Sequence, residues 1–123
     1  MFAIDRRARR PSLLACLGAL LAAASIGLSA YASHGVSEPL AQQHLNMAAL
    51  YAFAHGAVLA ALGPRATATF GRLALYVILL GTLLFAGSLA GNALWQWSTR
   101  LAPMGGMALM LGWALVAIDA LRR

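Results

Sequence analysis

One segment of the chain has the side chains and the spacing to form a polar stripe along a helix. At intervals of 4, 3 and 4 residues it carries His44, Ala48, Tyr51 and His55. Residues at this spacing lie on one helical face. Imidazole and phenol groups can bind a small solute, pass a proton or ligate a metal or haem. The same groups can equally serve only as hydrogen-bond partners between helices, and the sequence leaves both interpretations open.

A second segment carries small and polar residues at matching intervals. Gly81, Ser88 and Asn92 recur at +7 and +4, and a further histidine lies upstream of both segments. In a helical bundle these groups would converge in one half of the structure. We therefore expect a polar cluster formed by His34, Tyr51, His55, Ser88 and Asn92. Two histidines without a third ligand or a carboxylate are weak evidence for a metal, so we predict neither a metal nor another cofactor.

The rest of the chain offers little catalytic chemistry. It contains no nucleophile–base pair, no paired carboxylates and no phosphate-binding loop. We therefore predict no catalytic residues and no enzymatic activity. The sequence pI near 11.2 would suit a nucleic-acid partner, but the arginines lie between apolar blocks and form no basic patch. We expect no nucleic acid to bind.

Four apolar blocks must position these residues. The chain is 62% hydrophobic and 10% charged, whereas an ordinary soluble domain is roughly a quarter charged. A helix needs roughly 20 apolar residues to cross a bilayer. Three blocks have about that length, and the fourth, Pro103–Ile118, is shorter. We predict one domain, 1–123, folded as an all-α integral membrane four-helix bundle. Its helices are expected at about 13–33, 40–63, 73–95 and 103–121.

The arginines predict the orientation of these helices. A cytoplasmic N-terminus and an even number of spans place eight of the nine arginines inside and leave only Arg100 outside. Both termini are therefore expected in the cytoplasm, with Trp95 and Trp97 at the outer interface. An A-x-A pattern at Ala30–Ala32 resembles a signal-peptidase site. We expect no cleavage, because the apolar run of about 18 residues exceeds the usual length of a secretory signal.

Helix ends and small residues add local predictions. Ser37 is expected to cap the second helix, and Gly35 to end the first in the left-handed conformation. Met104, Met107 and Met110 are interpreted as soft core filler. Small residues let helices approach closely in membranes. On this basis we expect helix packing at Gly87, Gly91, Gly105, Gly106 and Gly112.

Four motifs, in order, resemble the YgdD-like small membrane proteins, a bacterial family of unknown function with an animal transmembrane branch. The family's "GAHG", Tyr-x-x-x-His, "LFSGSL" and "PxGG…GW" segments are similar to Ser29–Gly35, Tyr51–His55, Leu84–Leu89 and Pro103–Gly106 with Gly112-Trp113. Ala32 and Gly56 depart from the residues usual in that family. The resemblance covers about residues 13–121. It implies four helices in the bacterial inner membrane and no established activity.

These observations lead to two hypotheses about function. The first is a small multi-pass membrane protein of the lipid bilayer that acts by helix packing, through self-association or with a membrane-protein partner. The alternative is a binder or conductor of a small solute, proton or metal through the polar cluster in the outer half of the bundle.

Overall fold

Four long helices make up almost all of the structure, a computed structural model that describes residues 11–122. They are α1 (Leu13–His34), α2 (Pro39–Leu62), α3 (Thr69–Trp95) and α4 (Leu101–Leu121), and a short 3-10 turn, Gly63–Arg65, follows α2. All four are long and apolar enough to cross a membrane. The shortest has 21 residues and so spans about 32 Å at about 1.5 Å per residue, against a hydrocarbon core of about 30 Å. The predicted all-α membrane bundle is confirmed. The arginines before Pro11, and Arg123, lie outside the described residues.

The ends of the helices differ from the predictions in three places. The cap of α2 is Glu38, whose carboxylate accepts from the N–H groups of Leu40 at 3.1 Å and Ala41 at 2.7 Å. The prediction of Ser37 was wrong, because the acidic side chain of Glu38 reaches forward past Pro39 to the free N–H groups of the first turn. Gly35 ends α1 with φ −106° and not in the left-handed region, so that prediction was wrong too. Helix α3 begins at Thr69, four residues before the apolar block.

The helices pack in chain order, so the bundle consists of two hairpins joined at their inner helices. Helix α1 packs on α2 and α4 on α3, while α2 and α3 form the contact between the hairpins. We call the end with Ser12 and the Gly63–Arg65 turn the arginine face, and the end with Trp95–Arg100 the tryptophan face. The core contains two groups of buried side chains. Large side chains form one group, Leu14, Leu59, Leu75, Ile78, Leu79 and Leu109. Mainly alanines form the other, Ala48, Ala52, Ala86, Leu89 and Ala102.

Each hairpin is closed by a reciprocal pair of glycines. A Cβ atom added at Gly18 would lie 2.5 Å from the carbonyl oxygen of Gly56, and one at Gly56 would lie 2.5 Å from the oxygen of Gly18. Gly81 and Gly105 form the same arrangement between α3 and α4, at 3.0 and 2.9 Å. Backbones this close exclude any side chain at the crossing. These four glycines therefore set the spacing within both hairpins.

The glycines expected to pack helices divide into three groups. Gly105 and Gly112 lie against α3, where an added Cβ would collide with Phe85 and Ile78 respectively. Gly91 lies beneath the ring of Trp97, and an added Cβ at Gly106 would make only an ordinary contact with Phe85, at 3.9 Å. At Gly87 an added Cβ would meet nothing within 4 Å, which corrects the packing prediction for that residue.

The methionines of α4 face outward. Met104, Met107 and Met110 are 54%, 62% and 74% exposed, so their interpretation as core filler was wrong. Their spacing of three residues keeps them on one helical face, and that face is turned away from α3.

Candidate functional site

His55 lies at the centre of the polar groups inside the bundle. It is buried on the inner face of α2, one turn after Tyr51. Its Nδ1 lies 2.8 Å from the backbone oxygen of Tyr51, and the indole Nε1 of Trp113 lies 3.1 Å from its Nε2. A carbonyl oxygen can only accept and an indole N–H can only donate. The imidazole is therefore neutral with its proton on Nδ1, and both ring nitrogens are occupied.

Aromatic rings surround this histidine. The Tyr51 ring stacks on the imidazole at 5.8 Å and 17° between planes. On its other side the same ring meets Phe85 of α3, with centroids 4.5 Å apart. The indole of Trp113 lies 5.9 Å from the imidazole at a steep angle. The group thus connects α2 to both helices of the second hairpin.

A second polar network lies nearer the tryptophan face. The Nδ1 of His44 is 2.9 Å from the Oδ1 of Asn92, and the Nδ2 of Asn92 donates to the backbone oxygen of Trp97 at 2.7 Å. The hydroxyl of Ser88 donates to the backbone oxygen of Ser98 at 3.3 Å. These bonds tie α2 and α3 to the turn between α3 and α4. Each of the three side chains makes at least one hydrogen bond to another protein group.

The structure therefore separates the residues expected to form one cluster. Tyr51 and His55 lie together, whereas Ser88 and Asn92 belong to the second network, which His44 also joins. His34 is exposed at the end of α1 and belongs to neither. The predicted helical stripe on α2 is real, but its two histidines pair with different helices.

The sequence did not predict two features of the structure, one at Trp113 and one at Gln96. Trp113 was not expected in the polar cluster, yet its indole N–H is the donor to His55. Nothing in the local sequence pairs residues 58 positions apart. Gln96 was not singled out, and it closes α3 in the left-handed conformation, with φ 59° and ψ 32°. It is the non-glycine residue with positive φ in residues 11–122.

The geometry leaves little room for a ligand at His55. Its Nε2 lone pair, the position that would bind a metal, already accepts the Trp113 N–H. Within residues 11–122, no three His, Cys, Asp or Glu side chains lie close enough to hold a metal ion together. What the arrangement can do is hold α2, α3 and α4 in one register.

Comparison with known proteins places this chain in a wider family. A family model described as "Protein of unknown function (DUF423)" matches residues 28–106. A UPF0382 membrane protein of Staphylococcus epidermidis (strain ATCC 12228 / FDA PCI 1200) is 29% identical over 113 residues, which cover 86% of this chain and 93% of the relative. A UPF0382 membrane protein of Staphylococcus haemolyticus (strain JCSC1435) is 29% identical over 117 residues, covering 89% and 96%. No solved structure matches significantly. The relatives and the four apolar helices together show a multi-pass membrane protein.

Proposed function

Because this chain belongs to the DUF423 family, whose members have no known function, we propose a function from its geometry. The protein is a non-enzymatic membrane bundle that acts by helix packing and association within the bilayer. Its buried polar side chains hold the helices in register. The observation that carries this proposal is the double pairing of His55, with Tyr51 on one side and Trp113 on the other.

The His55–Trp113 bond matters because of where it lies in the bundle. The closest backbone contacts are those within the two hairpins, and α2 and α3 supply most of the contact between them. The indole–imidazole bond adds a direct link from α2 to α4. Between membrane helices such a bond is worth about 0.6–2 kcal/mol. Lipid offers the two groups no alternative partner.

We further propose that the bundle lies in a bacterial inner membrane with both termini in the cytoplasm. Helix α1 begins on the side of the turn that contains Arg65, and helix α4 ends on the same side, where Arg122 lies over the ring of Phe70. Arg100 lies at the opposite end. Positively charged loops remain in the cytoplasm during insertion, which supports this orientation.

The relationship to the YgdD-like small membrane proteins is also a proposal. At least three of the four motifs that suggest it supply contacts of the bundle. In the Leu84–Leu89 motif, Phe85 meets the Tyr51 ring and Ser88 donates to Ser98. The Tyr51–His55 motif supplies the stacked ring pair, and the last motif supplies Gly105 at the α3–α4 crossing and the Trp113 indole. Their coincidence with the packing supports a common architecture.

The proposed partners are the lipid bilayer and either a second copy of the chain or another membrane protein. Helices α1 and α4 expose the greatest share of their surface, whereas α2 and α3 are more deeply buried. A partner within the membrane would therefore meet α1 or α4 first.

A pair of matched histidine substitutions tests the proposal. His55→Leu should leave membrane insertion intact and lower the thermal stability of the purified protein in detergent, because it removes both bonds of the buried imidazole. His34→Leu makes the same chemical change at the exposed end of α1 and should leave the melting temperature unchanged. Equal melting temperatures for wild type and His55→Leu would contradict a packing role.

The same proteins test the alternative of a binder or conductor. Under the packing proposal, the purified wild type carries no stoichiometric haem or metal, and proteoliposomes with wild type or His55→Leu show the same proton flux. Haem absorbance, bound metal or a flux that depends on His55 would instead favour the alternative.

A further inference from the structure

A cavity of about 210 Å³ opens on the arginine face, between the start of α1 and the turn that joins α2 to α3. A single water needs only about 10–15 Å³ of such space, so the cavity can hold a much larger group. Among residues 11–122 its lining includes Leu13, Ala66, Thr67, Arg72 and Tyr76. Three of these residues bear on what it could bind: Arg72, Thr67 and Tyr76.

Arg72 gives the cavity its charge and a hydrogen-bonding fork. Among the described residues its guanidinium makes one hydrogen bond, a long one of 3.4 Å from Nε to the backbone oxygen of Ala66. Its terminal amino groups are therefore available for another acceptor. The planar fork of arginine matches the oxygens of a phosphate. Asp119 lies against Gly71, but neither it nor any other acid is among the described residues that line the cavity.

The position of the cavity indicates a lipid more than a free anion. It lies at the end of the apolar helices, where headgroups meet water. Leu13 and Tyr76 both line it and are 63% and 41% exposed, so its wall continues into the surface that faces acyl chains. The hydroxyls of Thr67 and Tyr76 add hydrogen-bonding groups beside the guanidinium. Basic pockets between membrane helices on the cytoplasmic side are typical sites for anionic headgroups.

We propose that this cavity binds the phosphate of an anionic membrane lipid, with Arg72 as the principal contact. The site is separate from the His55 and Asn92 networks and does not depend on the packing role proposed for them. Bound lipid would join the α1 end to the α2–α3 turn and so join the two hairpins on the arginine face.

Native mass spectrometry of the full chain tests this assignment. The protein is released from micelles doped with equal amounts of phosphatidylglycerol and phosphatidylcholine of the same acyl chains. Wild type should retain phosphatidylglycerol in preference. Arg72→Gln should reduce the retained fraction about tenfold, as expected for the loss of hydrogen bonds between charged groups. Arg65→Gln makes the same charge change nearby, in the turn before α3 and outside the lining, and should retain the lipid.

Two further arms make the result decisive. Ala66→Phe should fill the cavity without changing the charge and should also abolish the preference for phosphatidylglycerol. This variant tests the lipid site even if Arg72→Gln does not fold. Inorganic phosphate is added as a competitor. Displacement of the lipid by millimolar phosphate would identify a soluble anion as the occupant and overturn the lipid assignment. Equal retention of the two lipids, or equal losses in Arg65→Gln and Arg72→Gln, would overturn it as well.

Discussion

The hydrogen bond between Trp113 and His55 allows a quantitative test of how the bundle is held together. Trp113→Phe removes the indole N–H and keeps an aromatic ring beside the imidazole, which lies 5.9 Å away. The substitution leaves the Nε2 acceptor of His55 without its donor at 3.1 Å. We expect it to lower the free energy of unfolding by about 1–2 kcal/mol, the usual range for a buried polar group that loses its partner.

The interaction energy comes from a double-mutant cycle with His55→Leu. Because the second substitution has no bond left to remove between the two side chains, the double variant should lose less stability than the sum of the single variants. The difference should be about 0.6–1.7 kcal/mol, the range found for hydrogen bonds between membrane helices. The exposed fraction of Trp113, 41%, does not reduce this value, since lipid cannot replace the acceptor.

Equilibrium unfolding in mixed micelles of a mild detergent and sodium dodecyl sulfate would measure all four proteins. A second cycle, Trp113→Phe with His34→Leu, serves as the control, because His34 is exposed at the end of α1. That cycle should be additive within about 0.3–0.5 kcal/mol. If the His55–Trp113 cycle were additive to the same degree, the bond would not stabilise the bundle.

Three further predictions about the free energy of unfolding can be tested in the same assay. Gly105→Ala should lower the free energy of unfolding by about 1–3 kcal/mol, because the added Cβ would collide with the backbone of Phe85. Gly87→Ala should leave the free energy of unfolding unchanged or raise it by up to about 1 kcal/mol. Equal effects would contradict the finding that Gly105 lies at a helix contact and Gly87 does not. Glu38→Ala should lower the free energy of unfolding by about 0.5–2 kcal/mol, because it removes the α2 cap, and Ser37→Ala should leave it unchanged. A larger loss for Ser37→Ala than for Glu38→Ala would show that Ser37 is the cap. Gln96→Gly should raise the free energy of unfolding by up to about 1 kcal/mol, because glycine adopts the left-handed φ of 59° at this position without a steric penalty. A lower free energy of unfolding would show that contacts of the Gln96 side chain outweigh this backbone effect.

Much of the fold could be predicted from the sequence, because the bilayer imposes helices on long uncharged runs. The helix ends were less predictable. Hydropathy marks where the hydrocarbon stops, whereas α3 continues outside it through Gly71 and Arg72. The choice of Glu38 over Ser37 depended on the reach of a side chain, which spacing alone does not reveal.

The candidate site was predictable only within single helices. The interval from Tyr51 to His55 placed the two on one face, and the structure stacks their rings. Which helix each polar group meets depends on rotations and offsets that a sequence does not contain. For that reason Trp113 was missed as a donor, and Gly87 was expected at a contact that it does not make.

The state of the His55 ring tests most directly whether this buried histidine holds the bundle together. Nitrogen-15 NMR of histidine-labelled protein in lipid bilayers can determine which ring nitrogen carries the proton, with the signal assigned by its loss in His55→Leu. We predict a neutral ring with its proton on Nδ1 and with Nε2 close to the indole N–H of Trp113. A proton on Nε2, a doubly protonated ring or a ring nitrogen bound to a metal would contradict this account.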